Sequence, residues 1–253
     1  MISADLSGKT MLVTGGLSGI GLAAARLFGR LGARVAINHL PSDPRAEAVL
    51  AGLAREGLVV VAAPADMGDA GAVAPMVAAA VSELGRLDYL LNNAATPGTA
   101  EPIAMERLDA MTDDFWQRLL SVNLVGPFRC ARAAAPHLRA SRGAIVNTAS
   151  IAGLGSRGSS IVYGATKGAL VNMTINLARA LAPDVRVNAV APGLVDSPWT
   201  AGWPAAVRAE AAEAALLKRL VAPEDVAETM LFLCAGAAMI TGRTVVVDGG
   251  RYL

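Results

Sequence analysis

Short apolar runs alternate with longer stretches of helical period along almost the whole chain, and that order leaves few folds open. Thr10–Thr14, Arg34–Asn38, Leu58–Ala63 and Leu87–Leu91 read as strands. Ile20–Leu31, Arg45–Glu56 and Ala70–Leu84 read as the helices between them. A long helix is expected over Asp113–Arg139, bent or broken near Gly126-Pro127. A strand at Ala144–Thr148, a helix at Ile161–Leu181 and a strand at Val185–Val190 follow. Pro192 to about Pro204 reads as a loop, helices lie near Ala205–Leu217 and Pro223–Cys234, and Thr244–Val247 is a last strand. Strands this apolar are buried on both faces, which suits a parallel sheet with right-handed crossovers. No linker, low-complexity tract or solenoid repeat interrupts the order. The expectation is one α/β domain over residues 1–253, a doubly wound parallel sheet with helices on both faces.

The composition narrows the function classes. The chain is 54% hydrophobic and 17% charged, yet no run reaches the roughly 18 apolar residues of a spanning helix. Met1–Lys9 lacks a basic region followed by an apolar run, so no secretory signal is expected and a cytoplasmic protein is the default. Net charge is +1 with no long charged run, which leaves nucleic acid and membrane surfaces without an electrostatic footprint. Cys130 and Cys234 sit in apolar helical contexts and read as buried small hydrophobes. His39 and His137 are too few and too far apart in sequence for a metal cluster, and no metal is expected.

Two motifs carry chemistry. Gly15, Gly19 and Gly21 follow the first strand and open the first helix, where glycines let backbone N–H groups approach a pyrophosphate. Their spacing is G-x-x-x-G-x-G, not the G-x-G-x-x-G of the common dinucleotide fingerprint. Further on, Tyr163 and Lys167 share one helical face at i and i+4, with Ser150 upstream. A phenol titrates at about 10 in isolation, and a nearby ammonium favours the phenolate and draws that value toward the working range. A serine hydroxyl beside it holds a carbonyl or alcohol oxygen while the proton moves.

With these motifs in place, the chain resembles the short-chain dehydrogenase/reductase family over essentially its whole length, in the 3-oxoacyl-carrier-protein-reductase and glucose-dehydrogenase branch. Thr14-Gly15-Gly16-Leu17-Ser18-Gly19-Ile20-Gly21 is similar to the family's cofactor turn. Asp66, with Met67 beside it, resembles the adenine contact, and Asn92-Asn93-Ala94 the adenine-side motif. Asn123 resembles the active-site asparagine, and Ser150, Tyr163 and Lys167 the catalytic set. Pro192-Gly193, with Val195 and Ser197, resembles the nicotinamide-lining segment, and Asp248-Gly249-Gly250 the C-terminal turn. Ala95 stands where the family usually has glycine, and Ser197 where threonine is common.

The resemblance implies a Rossmann fold and hydride transfer between a nicotinamide cofactor and a carbonyl/secondary alcohol pair. Tyr163 would exchange the proton, Ser150 hold the substrate oxygen, Lys167 hold the nicotinamide ribose and lower the phenol's pKa, and Asn123 support a water leading to solvent. Asn123 is also compatible with bridging a helix break, and Asp88 and Asp248 read as structural. The second strand ends in His39 where an acid would select NAD. With no carboxylate counted there and Ser18, Ser42 and Arg45 as possible donors, NADP(H) is favoured over NAD(H). A substrate lid is expected at about 194–220, with Trp199 and Trp203 as its walls or as packing under it or between subunits. No arginine cluster demands an anionic substrate, so 3-oxoacyl thioesters, sugars or polyols, and hydrophobic ketones stay open. A homotetramer is expected, with a dimer as the alternative. A non-catalytic dinucleotide sensor on the same fold is the competing class, although Ser150, Tyr163 and Lys167 are all present.

Overall fold

The computed structural model describes residues 4–253, so the first three positions of the Met1–Lys9 segment lie outside the described residues. Seven parallel strands form one sheet: β1 (Thr10–Val13), β2 (Arg34–His39), β3 (Val60–Pro64), β4 (Tyr89–Asn92), β5 (Ala144–Thr148), β6 (Arg186–Pro192) and β7 (Thr244–Val247). Their spatial order is β3-β2-β1-β4-β5-β6-β7. The order reverses between β1 and β4, which register Met11 against Tyr89 and Val13 against Leu91. A crevice opens at such a switch point, beyond the carboxyl ends of the strands.

Burial explains the ladder. β1, β4 and β5 are buried at every residue, whereas the edge strands β3 and β7 are only partly covered. On one face of the sheet, α1 (Gly19–Arg30) and α8 (Pro223–Leu231) close over Met11, Val13, Val35 and Ile37 through Phe28, Val226 and Met230. On the other, α3 (Val73–Leu84), α5 (Gly126–Ser141) and α6 (Ile161–Leu181) close over Leu12, Leu90 and Ile145. The remaining helices are α2 (Ala46–Arg55), α4 (Asp113–Leu120) and α7 (Ala205–Ala214). The alternation read from the sequence is therefore borne out as a Rossmann-like sheet.

Several boundaries differ from expectation: β4 starts at Tyr89 instead of Leu87, β6 runs on to Pro192, and α8 ends at Leu231, where Phe232–Gly236 forms a π turn. β3 starts at Val60 and α3 at Val73, later than their apolar runs, because Gly57 at φ +83° and Gly71 still belong to turns. The break expected near Gly126-Pro127 takes the form of a π turn, Ser121–Val125, that joins α4 to α5. Pro127 sits at the start of α5, where its missing N–H costs nothing. Short 3₁₀ turns at Leu108–Ala110 and Ile151–Leu154 carried no visible sequence signal.

Candidate active site

The carboxyl ends of the strands deliver their following residues into one cleft of about 1060 Å³. Gly15, Ser18, Gly19 and Ile20 follow β1; His39 ends β2; Asp66 and Met67 follow β3; and Ala94 follows β4. Ser150 follows β5, Tyr163 and Lys167 come from the first turns of α6, and Pro192, Gly193, Val195 and Ser197 come from the end of β6 and beyond.

The glycine turn is shaped for a ligand. Gly15 and Gly19 take φ of +64° and +52°, a region that side chains other than glycine rarely occupy. A Cβ on Gly15 would stand 2.9 Å from the Ala94 Cα. Gly21 lies behind the turn instead of in the cleft wall, where a Cβ would meet the Gly15 carbonyl oxygen at 2.3 Å and Asn93 Nδ2 at 2.7 Å. Ser18 caps α1 with extended backbone and spends its hydroxyl on no cap bond, so the positive end of the helix opens onto the cleft. The turn is held from behind: the Gly15 N–H donates to Asn38 Oδ1 at 3.2 Å, and Asn38 Nδ2 donates to the Ala63 and Ala65 carbonyls. Thr14 Oγ1 accepts the N–H groups of Asn93 and Ala94, both at 2.9 Å. This donor set fits a pyrophosphate.

Asn92 does not reach the cleft. It ends β4 with its side chain turned into the sheet, and Nδ2 donates to Asn147 Oδ1 at 2.9 Å, while Asn93 takes the place in the wall. At the far end, His39 Nδ1 donates to the Leu40 carbonyl at 2.9 Å, which leaves Nε2 buried without a partner. One expectation is corrected there. A carboxylate does line this end: Asp43 faces the same cleft and grips Arg45, Nη2 to Oδ2 at 2.6 Å and Nε to Oδ1 at 2.9 Å. The guanidinium holds the Asp43 carboxyl down at about 2. The ion pair and its reach into the cleft arise from the β2–α2 turn, which residue spacing alone does not reveal.

Ser160 caps α6 by accepting the Tyr163 N–H at 3.0 Å, and this orients the helix that carries both Tyr163 and Lys167. Ser150 accepts the Ala152 N–H at 3.1 Å, which starts the 3₁₀ turn after β5. Lys167 is 2% exposed, and its Nζ donates to the Thr148 carbonyl at 2.6 Å while standing 5.6 Å from the centre of the Tyr163 ring. That carbonyl partner is a backbone group that no residue pattern announces.

The electrostatics differ from the expectation of a depressed phenol. Burial pushes Tyr163 up to about 12, with the Ser150 hydroxyl opposing it. Burial also brings Lys167 down to about 7. Both shifts have one cause, since each charged form loses water. Within the protein alone, the ammonium therefore gives up its proton before the phenol does.

Asn123 is fully buried in the π turn behind the wall. Its Oδ1 accepts the Thr96 N–H at 2.8 Å, and Nδ2 donates to the Thr96 carbonyl at 3.0 Å and to Thr166 Oγ1 at 3.3 Å. π turns are frequent at functional sites, and this one ties the 96 segment to the helix carrying Lys167. Trp199 stands edge-on to Tyr163, ring centres 6.1 Å apart, and with Trp203 it lines the cleft. Among the described residues, no group of three or more potential ligands is placed to hold a metal, and no helix is long and apolar enough to cross a membrane.

Comparisons with known proteins bear on this architecture. Residues 15–251 match the family model described as enoyl-(acyl carrier protein) reductase. Meso-2,3-butanediol dehydrogenase from Serratia marcescens is 39% identical over 248 residues, which cover 96% of this chain and 94% of the relative. A 3-oxoacyl-[acyl-carrier-protein] reductase from Staphylococcus aureus is 35% identical over 97% of this chain and 98% of its own. The crystal structure of a short-chain dehydrogenase from Burkholderia cenocepacia in complex with NADP superposes with a TM-score of 0.88 at 33% identity, covering 99% of this chain and 100% of that one.

Proposed function

The chain belongs to the short-chain dehydrogenase/reductase family, and on that premise we propose that Ser150, Tyr163 and Lys167 form its proton-transfer site, with Asn123 in support. As a member it is an NAD(P)-dependent oxidoreductase. The observation that carries the site is convergence: the three side chains line one cleft with the glycine turn, and Lys167 is held buried beside the phenol ring.

When bound, the nicotinamide supplies the hydride and, oxidised, a positive charge. Tyr163 Oη gives its proton to the substrate oxygen in reduction and takes it back in oxidation. Ser150 Oγ holds that oxygen where negative charge develops. Lys167, brought to about 7, passes and recovers a proton near neutrality. Positive charge beside the phenol works against burial and lowers the barrier to its ionisation. Asn123 is a positioning residue: through Thr96 and Thr166 it locks the cleft wall to α6. The test is Ser150→Ala, with kcat expected to fall about 10²–10³-fold while cofactor affinity is kept. Equal losses in both would make Ser150 a structural cap only.

For the cofactor, Gly15, Ser18, Gly19 and Ile20 would hold the pyrophosphate, Asp66, Met67 and Ala94 the adenosine side, and Pro192, Gly193, Val195 and Ser197 the nicotinamide side. Gly21 and Asn92 act from behind the wall. We favour NADP(H) over NAD(H), on the unpartnered Nε2 of His39 at the position an NAD-selecting acid would take. Asp43 opposes that preference and Arg45 favours it, which makes the pair the local balance. His39→Asp should shift relative affinity toward NAD(H), and an unchanged ratio by calorimetric titration would remove His39 from the discrimination.

The segment at about 194–220 is read as a lid on a single domain. Its root is fixed by Thr200, whose Oγ1 donates to the Val195 carbonyl at 2.5 Å, while Trp199 and Val207 above it are partly exposed. The substrate is a small carbonyl or alcohol compound; the relatives' names span a diol and a 3-oxoacyl thioester. Exposed Phe128 on α5, Ile161 on α6 and Val246 on the edge strand β7 suit a homotetramer, with a dimer as the alternative. A cytoplasmic setting accords with this reading.

A further inference from the structure

Beside the phenol, residues 157–159 carry donors that neither the fold nor the proton relay uses. Gly158 packs on Tyr163: a Cβ built there would stand 3.1 Å from ring atom Cδ1 and 2.8 Å from the Ala152 Cβ. The segment is pinned from its other side, where the Ile103 N–H donates to the Ser159 carbonyl at 2.7 Å. Ser159 is 3% exposed and lines the cleft, yet its Oγ is buried without a hydrogen-bond partner. A buried hydroxyl left in that state is costly, and a ligand oxygen would relieve it.

Two guanidinium groups border the same cleft. Arg157 lies two residues before Ser159 and is exposed, and Arg251 arrives from the far end of the sequence. The tail carrying Arg251 is clamped: the Tyr252 hydroxyl donates to the Leu154 carbonyl, and the N–H groups of Gly250 and Tyr252 donate to the Asp248 carboxylate at 2.8 and 2.7 Å. Neither Arg157 nor Arg251 enters an ion pair among the described residues. Arg118, a third guanidinium in the wall, is already engaged with the Gly98 carbonyl at 2.6 Å. Glu106 and Glu210 also border the cleft, both exposed. Of these charged groups, only Arg157 lies within two residues of a buried, unused hydroxyl, that of Ser159, in the segment that packs on Tyr163.

We infer that Arg157, Ser159 and Arg251 form an anion pocket that selects carbonyl compounds and alcohols bearing a carboxylate or phosphate near the reacting carbon. The inference rests on the proposed reaction at Tyr163 and names its substrate class. A planar guanidinium fork matches either oxyanion, and the Ser159 hydroxyl adds a donor one residue from Gly158, which packs on the phenol ring. The two arginines are 94 apart in sequence, 251 less 157, and the clamped tail brings Arg251 to the cleft that Arg157 also lines.

The test compares kcat/KM for 4-oxopentanoate with its methyl ester, and for dihydroxyacetone phosphate with dihydroxyacetone, using NADPH and NADH. The anion should be preferred by about tenfold or more in at least one pair, and which pair shows it identifies the oxyanion. Arg157→Gln, Arg251→Gln and Ser159→Ala should each collapse that ratio toward one. A wild-type ratio near one, a ratio untouched by all three variants, or preference for 1-amino-2-propanone over butanone would overturn the pocket, the last in favour of the two glutamates. A second measurement separates this from the reaction itself: the cofactor-loaded protein is titrated with pentanoate and with pentanamide, followed by tryptophan fluorescence. Preferential pentanoate binding, lost in the variants, with no carbonyl turned over would keep the pocket and sink the reaction. Equal binding of the two would sink the pocket whatever turns over.

Discussion

On the wall that carries the glycine turn, backbone and buried amides interlock: Asn38 joins Gly15 to Ala63 and Ala65, Thr14 holds Asn93 and Ala94, and a Cβ at Gly21 would strike the Gly15 carbonyl. On the opposite wall, the segment after β6 is anchored at Thr200 and by the Arg208–Asp196 pair, while Trp199 is 37% and Val207 38% exposed and Gly202 faces open space. The first wall is specified by main-chain geometry that admits one shape. The second is specified by side chains on a weakly buried segment, the kind of region that opens at low cost. On the proposed function, the first wall holds the cofactor common to a family, and the second reads a substrate particular to one member.

The comparison breaks most sharply at Gly21. Gly21→Ala should lower cofactor affinity more than about 100-fold and cost about 1–3 kcal/mol of stability, by titration and urea unfolding. Intact binding in that variant would show that the turn yields, and that its rigidity is not what holds the ligand.

Lys167 sharpens the same contrast through pH. Its folded pKa of about 7 lies below the ordinary 10.5, so between these values the unfolded chain binds the extra proton. Stability from this group is lost as pH falls through that window and regained as pH rises, by an amount of the order of a few kcal/mol. Tyr163 is shifted the other way and acts only above its ordinary value of 10. Lys167→Met should therefore unfold with a flatter pH dependence than wild type between about pH 7 and 10, and parallel curves would show that the lysine is solvated.

A smaller effect is expected on the more exposed wall. Trp199→Ala removes the edge contact on Tyr163 and should raise KM about tenfold, with cofactor affinity and urea midpoint nearly unchanged. If it weakens cofactor binding instead, the two walls are not separable. The smallest is Gly202→Ala, where a Cβ meets nothing within 4 Å, and stability should stay within about 0.5 kcal/mol.

The same division decides what could be read from the residues. Ala144–Thr148, Ile161–Leu181 and Thr244–Val247 match their expected bounds, because the first and last are apolar runs and Ser160 and Pro183 bracket the helix between them. The glycine turn was legible for a similar reason, since positive φ leaves its mark on residue type. Asn123 was found as a residue but not as part of a π turn, whose extra residue has no compositional mark. The Thr148 carbonyl under Lys167 and the tail that carries Arg251 depend on segments brought together from apart in the chain, and the reach of the Asp43–Arg45 fork into the cleft depends on the path of the β2–α2 turn. The raised phenol leaves no mark on the sequence, because the i, i+4 spacing places a charge beside Tyr163 and says nothing of the water lost on burial.

Tyr163→Phe tests the central claim most directly, with carbonyl reduction followed at 340 nm and cofactor affinity measured on the same preparation by calorimetry. The ring, its contact with Trp199 and the Ser160 cap all survive this change, and only the hydroxyl, with its proton and its hydrogen bond to Ser150, is removed. The account predicts a fall in kcat of about 10²–10⁴-fold with the dissociation constant of the cofactor within about threefold of wild type. Turnover within about tenfold of wild type at unchanged affinity would contradict it and move the proton to another group.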